Sequence, residues 1–335
     1  MEKLPNEIVL VICDYCDFTM KIKLFSVNKW YYENIYIYDL INIPDYISEK
    51  LNDEILQQSK YKYLRKLQAN LNITQNGISI FDLIELRAYN NEKIKNVSFM
   101  KNLKKLHAGG DCGIDQKEIE KLNLIELNVY GNSKINNVSH MKNLEKLIIN
   151  YGCGVDQNGI EGLNLMELYA CNNDKIKNVS FMKKLKKLFI TGKCGIDQNG
   201  IQGLNLTELD ASNNDKIKNV GFMKNLKILG ADGNCGINQK GINGLNLIEL
   251  RVNCNVKINN ASFMKNLKKL GANGKCGIDQ KGIDGLNLIE LYAGDNNKIK
   301  DASFMKNLQI FRKDSCYVII QKCIEELESL LTQNK

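Results

Sequence analysis

A five-residue motif recurs along the chain at a fixed interval. Cys-Gly-Ile-Asp-Gln begins at Cys112 and returns, identical or with a single change, at Cys153, Cys194, Cys235 and Cys276, each time 41 residues later. A period of this length is typical of repeat proteins, in which each small unit packs only on its neighbours. The motif therefore predicts a stack of similar coils.

Each 41-residue period divides into halves of 20 and 21 residues. The first half follows the pattern L-x-x-L-x-apolar-x-x-N-x-x-I, and the second half repeats it with Cys in place of Asn, one position later. Units of this length fall in the range of leucine-rich repeats, about 20 to 29 residues. First halves begin at Leu83, Leu124, Leu165, Leu206, Leu247 and Leu288, and second halves at Leu103, Leu144, Leu185, Leu226 and Leu267, with weaker copies near Leu64 and at Leu308.

The pattern predicts an α/β fold, a leucine-rich-repeat solenoid of about thirteen units over residues 64–313. The L-x-x-L-x-apolar segment has the two-residue period of a short strand, so successive copies form a parallel sheet on the concave side. Ile135, Val138, Met141 and Leu144 then step by three, which favours a 3₁₀ or irregular convex side. Units this short leave no room for a long helix.

The regularly spaced cysteines allow four interpretations: a metal site, a disulfide framework, a redox relay or a structural role. Each Cys falls where alternate coils carry an Asn at the inward bend after the strand, as at Asn132 and Asn214. Successive cysteines are two coils apart, about 9.6 Å at about 4.8 Å per strand. A disulfide needs Cα atoms within about 7 Å, and zinc ligands converge on one point. We therefore expect a buried thiol that replaces Asn with weaker hydrogen bonding.

Two positions flanking the second leucine of each unit should face solvent from the sheet. The preceding residue is Glu in the first halves and mostly Lys in the second, which predicts cross-strand ion pairs instead of catalytic carboxylates. The residue after that leucine and those at the strand end vary between coils and are free to recognise a partner. The predicted target-binding residues are Arg87, Tyr89, His107, Tyr130, Tyr151, Tyr169, Phe189, Asp210, Arg251 and Tyr292. The alternative is that these aromatic residues only cover the sheet.

Residues 1–45 differ from the repeats and predict short helices that are apolar on more than one face. Such a segment lacks its own core and needs a partner to bury it. The segment Leu4-Pro5-x-Glu7-Ile8, and the Leu24 and Val27 spacing that ends in Val27-Asn28-Lys29-Trp30-Tyr31, resemble an F-box. With the repeats, the chain resembles F-box/leucine-rich-repeat proteins, and its Asn, Lys and Ile bias is similar to that of such proteins encoded by giant DNA viruses of amoebae.

The resemblance implies that the chain is the substrate-recognition subunit of a ubiquitin ligase of the Skp adaptor, cullin and F-box type. It also implies that the first helices contact a Skp-type adaptor, whereas the alternative is a helical cap on the first coil. Residues 46–63 predict a connecting helix, and residues 314–335 predict an amphipathic capping helix. The implied adaptor-binding residues are Leu4, Pro5, Ile8, Ile12, Leu24, Val27 and Trp30.

Composition narrows the function classes. The chain has no apolar run long enough for a membrane span and no signal-peptide pattern, and its 11 cysteines fit free thiols in a reducing compartment. We therefore expect a cytoplasmic protein, in the host cytoplasm if it is viral. The net charge of +8 accompanies heavy use of Asn, Lys and Ile, whose codons are rich in A and T, and the repeated lysines fall on the outer bends as a solvated face. The expected partner is therefore a protein, with nucleic acid the less favoured alternative. Only His107 and His140 are present, so neither an enzyme nor a cofactor is expected, and a freestanding repeat protein with no ubiquitin role is the alternative.

Overall fold

The computed structural model describes residues 8, 12–13, 15–27, 29–313 and 318–319 of the chain. The chain divides into two compact units, Met1–Leu163 (unit 1) and Asn164–Lys335 (unit 2). Each unit is built from short strands that are joined by loops and single helical turns.

The twelve strands between residues 66 and 292 lie where the leucine pattern predicts them, each centred on the second leucine of a repeat. In unit 1 they are β1 (Asp39–Leu40), β2 (Lys66–Gln68), β3 (Glu85–Arg87), β4 (Lys105–His107), β5 (Glu126–Asn128) and β6 (Lys146–Ile148). In unit 2 they are β7 (Glu167–Tyr169), β8 (Lys187–Phe189), β9 (Glu208–Asp210), β10 (Ile228–Gly230), β11 (Glu249–Arg251), β12 (Lys269–Gly271), β13 (Glu290–Tyr292), β14 (Ile310–Arg312) and β15 (Val318–Ile319).

Consecutive repeat strands within each unit pair in parallel and in the same register. Leu86 lies opposite Leu106, and Leu106 lies opposite Leu127. All three leucines are fully buried. A slip of one residue would turn this leucine row towards solvent, so burial of the row fixes the register. The predicted parallel-sheet solenoid is confirmed.

The helices are short, and outside the N-terminal region each is about one turn. Unit 1 has α1 (Phe18–Val27), α2 (Lys29–Asn34), α3 (Asp45–Ser48), α4 (Asp53–Leu56), α5 (Gln75–Ile78) and α6 (Gln116–Ile119), with 3₁₀ turns at Ser59–Tyr61 and Asn158–Ile160. Unit 2 has 3₁₀ turns at Asn199–Ile201, Gln239–Ile242 and Lys281–Ile283. The short return segments that the sequence predicts are therefore present.

Residues 46–63 do not form the single connecting helix that the sequence predicts. They form α3, α4 and a 3₁₀ turn, and Asn52 caps the start of α4 by accepting a hydrogen bond from the Ile55 N–H at 2.9 Å. The Asn70 Nδ2 donates to the carbonyl oxygens of Ser48 and Leu51, which bends the segment into a coil. β1 pairs in parallel with β2, so the stack of coils begins at Asp39, before the predicted start at residue 64.

The asparagines at the bend after the strand bond the backbones of adjacent coils. Asn132 Nδ2 donates to the carbonyl oxygens of Ala108 (2.8 Å) and Ile114 (3.2 Å), and its Oδ1 accepts from the Lys134 N–H (2.9 Å). Because the side chain is only 1% exposed, these bonds replace water that the backbone groups have lost.

The cysteines fill the corresponding place in the alternate coils. The thiols of Cys112, Cys153, Cys194, Cys235 and Cys276 are all buried. Cys276 Sγ accepts a hydrogen bond from the Ile278 N–H at 3.5 Å, a weaker contact than those of the asparagines. The predicted buried structural thiol is confirmed. Burial raises the pKa of Cys194, Cys235 and Cys276 to about 11, so these thiols stay protonated at neutral pH.

The Gly and Gln of the recurring motif also hold adjacent coils together. A Cβ on Gly195 would collide with the carbonyl oxygens of Asp174 and Ile176, so glycine allows this close approach. Gln198 Nε2 donates to the Asn219 carbonyl at 2.9 Å, and its Oε1 accepts from the Lys218 and Asn219 N–H groups. The recurring motif is therefore a set of coil-to-coil contacts.

At the end of unit 2, β15 pairs antiparallel with β14, with Phe311 opposite Val318. The capping helix predicted over residues 314–335 lies outside the described residues, apart from the β15 residues Val318 and Ile319.

Candidate binding surface on the strand face

The first and third residues of each repeat strand project from the sheet on the side opposite the leucines. We call this surface, together with the exposed residues that directly follow each strand, the strand face. In β5, Glu126 and Asn128 are partly exposed while Leu127 between them is buried. The alternation follows from the two-residue period of a strand.

The Glu and Lys residues of the strand face form the cross-strand pairs that the sequence predicts. In unit 1, the Glu126 carboxylate lies 3.1 Å from Lys146 Nζ and 3.6 Å from Lys105 Nζ, which project from the strands on either side. In unit 2, Lys187 Nζ lies 3.3 Å from Glu167 and 3.9 Å from Glu208. Partly exposed pairs of this kind contribute about 0.2 to 1 kcal/mol each, so the row supports the sheet without implying catalysis.

His107 also contacts Glu126, with Nε2 at 3.3 Å from Oε1. Burial lowers the pKa of His107 and outweighs the opposing effect of the carboxylate, so the contact is a hydrogen bond from a neutral imidazole at pH 7. Burial acts to raise the pKa of Glu126, but the hydrogen bonds from Lys146 and His107 and the charge of Lys146 bring it below its ordinary value. Glu126 therefore remains ionised and does not resemble a general acid.

Three of the predicted target-binding residues in unit 1 form a cluster of tyrosines. The ring centroids of Tyr89 and Tyr130 are 6.2 Å apart, and those of Tyr130 and Tyr151 are 5.4 Å apart. Tyr89 reaches over Gly109, where a Cβ would touch its ring. Tyr89 and Tyr151 are each 49% exposed, although aromatic side chains of this size are usually well covered. The cluster therefore exposes apolar rings at the surface of unit 1.

Arg87 lies beside this cluster on β3. Its Nε is 2.9 Å from Glu85 Oε1, and its Nη1 donates to Asn42 Oδ1 at 3.1 Å. These contacts hold the guanidinium in one position, which lowers the entropy that a partner would have to remove.

The predicted residues of unit 2 form separate groups. Tyr169 and Phe189 stack with centroids 4.4 Å apart and planes 2° from parallel. Arg251 pairs with Asp210 and Glu249, each at 2.9 Å. Tyr292 O–H donates to Glu290 at 3.0 Å, and the Arg312 guanidinium lies 5.4 Å from the Tyr292 ring centroid. Arg312 belongs to the same surface, although the sequence pattern did not predict it as a target-binding residue.

The predicted adaptor-binding residues divide between exposed and partly buried positions. Ile8, Ile12 and Val27 are 47%, 51% and 63% exposed, whereas Leu24 and Trp30 are partly buried. Trp30 makes an edge-to-face contact with Tyr31 at 5.4 Å. Leu4 and Pro5 lie outside the described residues.

A cation–π contact between Lys60 of the first coil and the N-terminal helices was not predicted from the sequence. Lys60 Nζ lies 5.7 Å from the ring centroid of Phe25 on α1, 5.5 Å from that of Tyr32 on α2 and 5.3 Å from that of Tyr61. Burial lowers the pKa of Lys60. These residues are scattered in the sequence, and only an aromatic-rich segment near a lysine hints at the arrangement.

Within the described part of the chain, no three His, Cys, Asp or Glu side chains come together in a group that could hold a metal ion. None of the described helices has the length and apolar composition needed to cross a bilayer.

No model of a known protein family matches the sequence, and no curated protein matches it. Solved structures with similar backbones include an internalin, InlF, from Listeria monocytogenes, at 16% identity over 96% of this chain and 91% of that chain, with a TM-score of 0.46. TLR13 in its complex with ssRNA13 gives 19% identity over 92% of this chain and 58% of that chain, with a TM-score of 0.47. The yeast Rad7–Elc1 complex gives 17% identity over 90% of this chain and 94% of that chain, with a TM-score of 0.44.

Proposed function

We propose that the chain is a non-catalytic receptor that binds a target protein on the strand face. The tyrosine cluster of Tyr89, Tyr130 and Tyr151 carries this proposal, since it exposes aromatic area on a rigid sheet where neighbouring coils differ from one another. Tyrosine and arginine are enriched among residues that dominate protein interfaces. The partner expected here is a protein, and any chemistry on it would belong to other subunits.

The same proposal assigns the N-terminal helices to a Skp-type adaptor of a cullin ubiquitin ligase, acting in the cytoplasm. Two observations support this assignment: the F-box-like residues of the sequence, and the exposure of Ile8, Ile12 and Val27 in the N-terminal segment. Exposed apolar residues in a short helical segment gain free energy when a partner covers them. Holding adaptor and target on one chain would raise the concentration of target lysines near the loaded ubiquitin.

The target-binding part is tested by affinity capture from host extract with identification of bound proteins. Tyr89→Ala together with Tyr151→Ala should remove a captured target, while Tyr46→Ala, which changes a tyrosine that is 64% exposed on α3, should not. Equal capture by both variants would contradict the assignment of the strand face.

The adaptor part is tested with purified Skp-type adaptor and the full chain. Ile8→Asp with Ile12→Asp should abolish binding, and Ile80→Asp, at an isoleucine that is 62% exposed among the repeats, is the matched control. If the adaptor does not bind the unmodified chain while the target is still captured, the alternative holds: a freestanding repeat protein with no ubiquitin role.

A further inference from the structure

The alternation of Glu and Lys on the strand face of unit 2 is broken at Ile228. From β7 to β13 the first strand residue is Glu167, Lys187, Glu208, Ile228, Glu249, Lys269 and Glu290. Ile228 pairs with Glu208 on one side and with Glu249 on the other. Elsewhere in this row a lysine separates the glutamates, and Lys269 Nζ lies 2.7 Å from Glu290.

The missing lysine leaves an excess of negative charge around β10. Glu208, Asp210, Asp232 and Glu249 are carboxylates, and Arg251 is paired with Asp210 and Glu249. The pair of Glu208 with Lys187 is long, at 3.9 Å, and Lys187 lies closer to Glu167. These four carboxylates outnumber the cations beside them, Lys187, Arg251 and Lys269, so a further cation would be stabilised here.

Asp232 is held at the edge of this group by the backbone. Its Oδ1 accepts from the Asn253 N–H at 2.7 Å. Burial raises the pKa of Asp232, and the charge of Asp210 acts in the same direction. The hydrogen bonds of Asn253 and the charge of Arg251 act in the opposite direction, but the pKa of Asp232 stays above its ordinary value.

The surface around β10 also offers an apolar floor for a long side chain. Ile228 is partly exposed and forms this floor, whereas the space over Gly230 is filled by the Arg251–Asp210 pair. Phe189 on the adjacent strand β8, stacked on Tyr169 of β7, exposes further apolar area. Lysine and arginine bury their methylene stems on apolar surface while the charged end meets carboxylates.

We infer that the strand face at β9–β11 binds a basic segment of the target, with one Lys or Arg side chain lying over Ile228 between Glu208 and Glu249. That side chain takes the place which Lys187 and Lys269 occupy between glutamates in the neighbouring coils. An apolar residue next to it in the segment contacts Phe189. The inference rests on the proposed function, because it names the chemistry of the target that the strand face recognises.

The test uses the full chain and two fluorescein-labelled pools of random 12-residue peptides, one with Lys and the other with Glu fixed at four positions. Fluorescence polarisation should show tighter binding of the Lys pool. Ile228→Lys supplies the missing cation from the chain itself and should weaken that binding at least tenfold. Ile310→Lys adds the same charge to the same row, at β14, and should leave the binding within twofold. Circular dichroism should show that both variants keep the fold.

Two results would overturn the inference: equal binding of the Lys and Glu pools, or unchanged binding of the Lys pool by Ile228→Lys. Neither result depends on affinity capture of a target. If a captured target is lost on changing Tyr89 and Tyr151 but its binding is unaffected by Ile228→Lys, the strand-face receptor stands and the basic-segment inference fails.

Discussion

Arg251 reaches across an entire coil to bind Asp210, 41 residues earlier in the chain. The contact, Nη2 to Oδ2 at 2.9 Å, passes over Gly230, which lies between the two residues on the intervening strand. A Cβ on Gly230 would lie 2.6 Å from Asp210 Oδ1 and 3.0 Å from Arg251 Nη2. A glycine on the middle strand thus couples two coils that do not pair directly.

We predict that this coupling disappears when Gly230 gains a side chain. A double-mutant cycle with Asp210→Asn and Arg251→Gln should give a coupling of about 0.5 to 1 kcal/mol, because both groups are partly exposed. The same cycle in a Gly230→Ala background should give a coupling near zero. Urea unfolding at low salt measures the eight proteins of the two cycles, the unmodified chain among them. An unchanged coupling in the Gly230→Ala background would show that the pair does not need the glycine.

Replacing a buried repeat asparagine with alanine should lower the free energy of unfolding more than replacing a buried repeat cysteine. Asn214 Nδ2 donates to the carbonyl oxygens of Ile190 and Ile196, and its Oδ1 accepts from the Lys216 N–H. Asn214→Ala should therefore destabilise the chain by about 2 to 4 kcal/mol, because it leaves buried backbone groups without hydrogen-bond partners. Cys235→Ala removes only a small side chain with weak bonds and should cost about 1 kcal/mol. Urea unfolding compares them, and equal losses would argue against the hydrogen-bonding role of Asn214.

The repeats could be predicted closely because one period fixes several properties at once. Leu127 and Leu147 had to stack, and that register placed Glu126 beside Lys146. The first coil could not be predicted in the same way. Ile47, Leu51 and Ile55 are spaced for a helix, and only distant side chains such as Asn70 bend the segment into a coil.

The geometry of the candidate binding surface could be predicted only in part from the sequence. Alternation identified which residues face out of the sheet, including Tyr89 and Tyr130. It did not give the stacking of Tyr169 on Phe189 or the path of Arg251 over Gly230, because both depend on rotamers and on the absence of a side chain in a neighbouring coil.

The buried thiols predict a loss of stability at high pH. The pKa of Cys235 is about 11 in the folded chain, raised by burial from an ordinary value of 9.0. Between these values the folded state keeps a proton that the unfolded state has released, so stability falls as pH rises from about 9 to about 11. The loss should reach about 2 kcal/mol for this thiol by about pH 10.5. Cys235→Ala should show a correspondingly smaller fall in urea unfolding between pH 8 and 10.5, and an identical fall would refute the buried neutral thiol.

Lys60 should stabilise the packing of the N-terminal helices on the first coil. Its ammonium lies among the rings of Phe25, Tyr32 and Tyr61, and the first two rings belong to α1 and α2. Cation–π contacts that are partly shielded from water contribute about 1 to 2 kcal/mol. Lys60→Met keeps an apolar stem and removes the charge, so amide hydrogen exchange in residues 18–34 should accelerate about 5- to 30-fold while the strands of unit 2 keep their rates. Lys62→Met is the matched control, because Lys62 lies over Tyr36 and Tyr63, outside both helices. Equal acceleration by the two variants would mean that charge at Lys60 does not hold the helices.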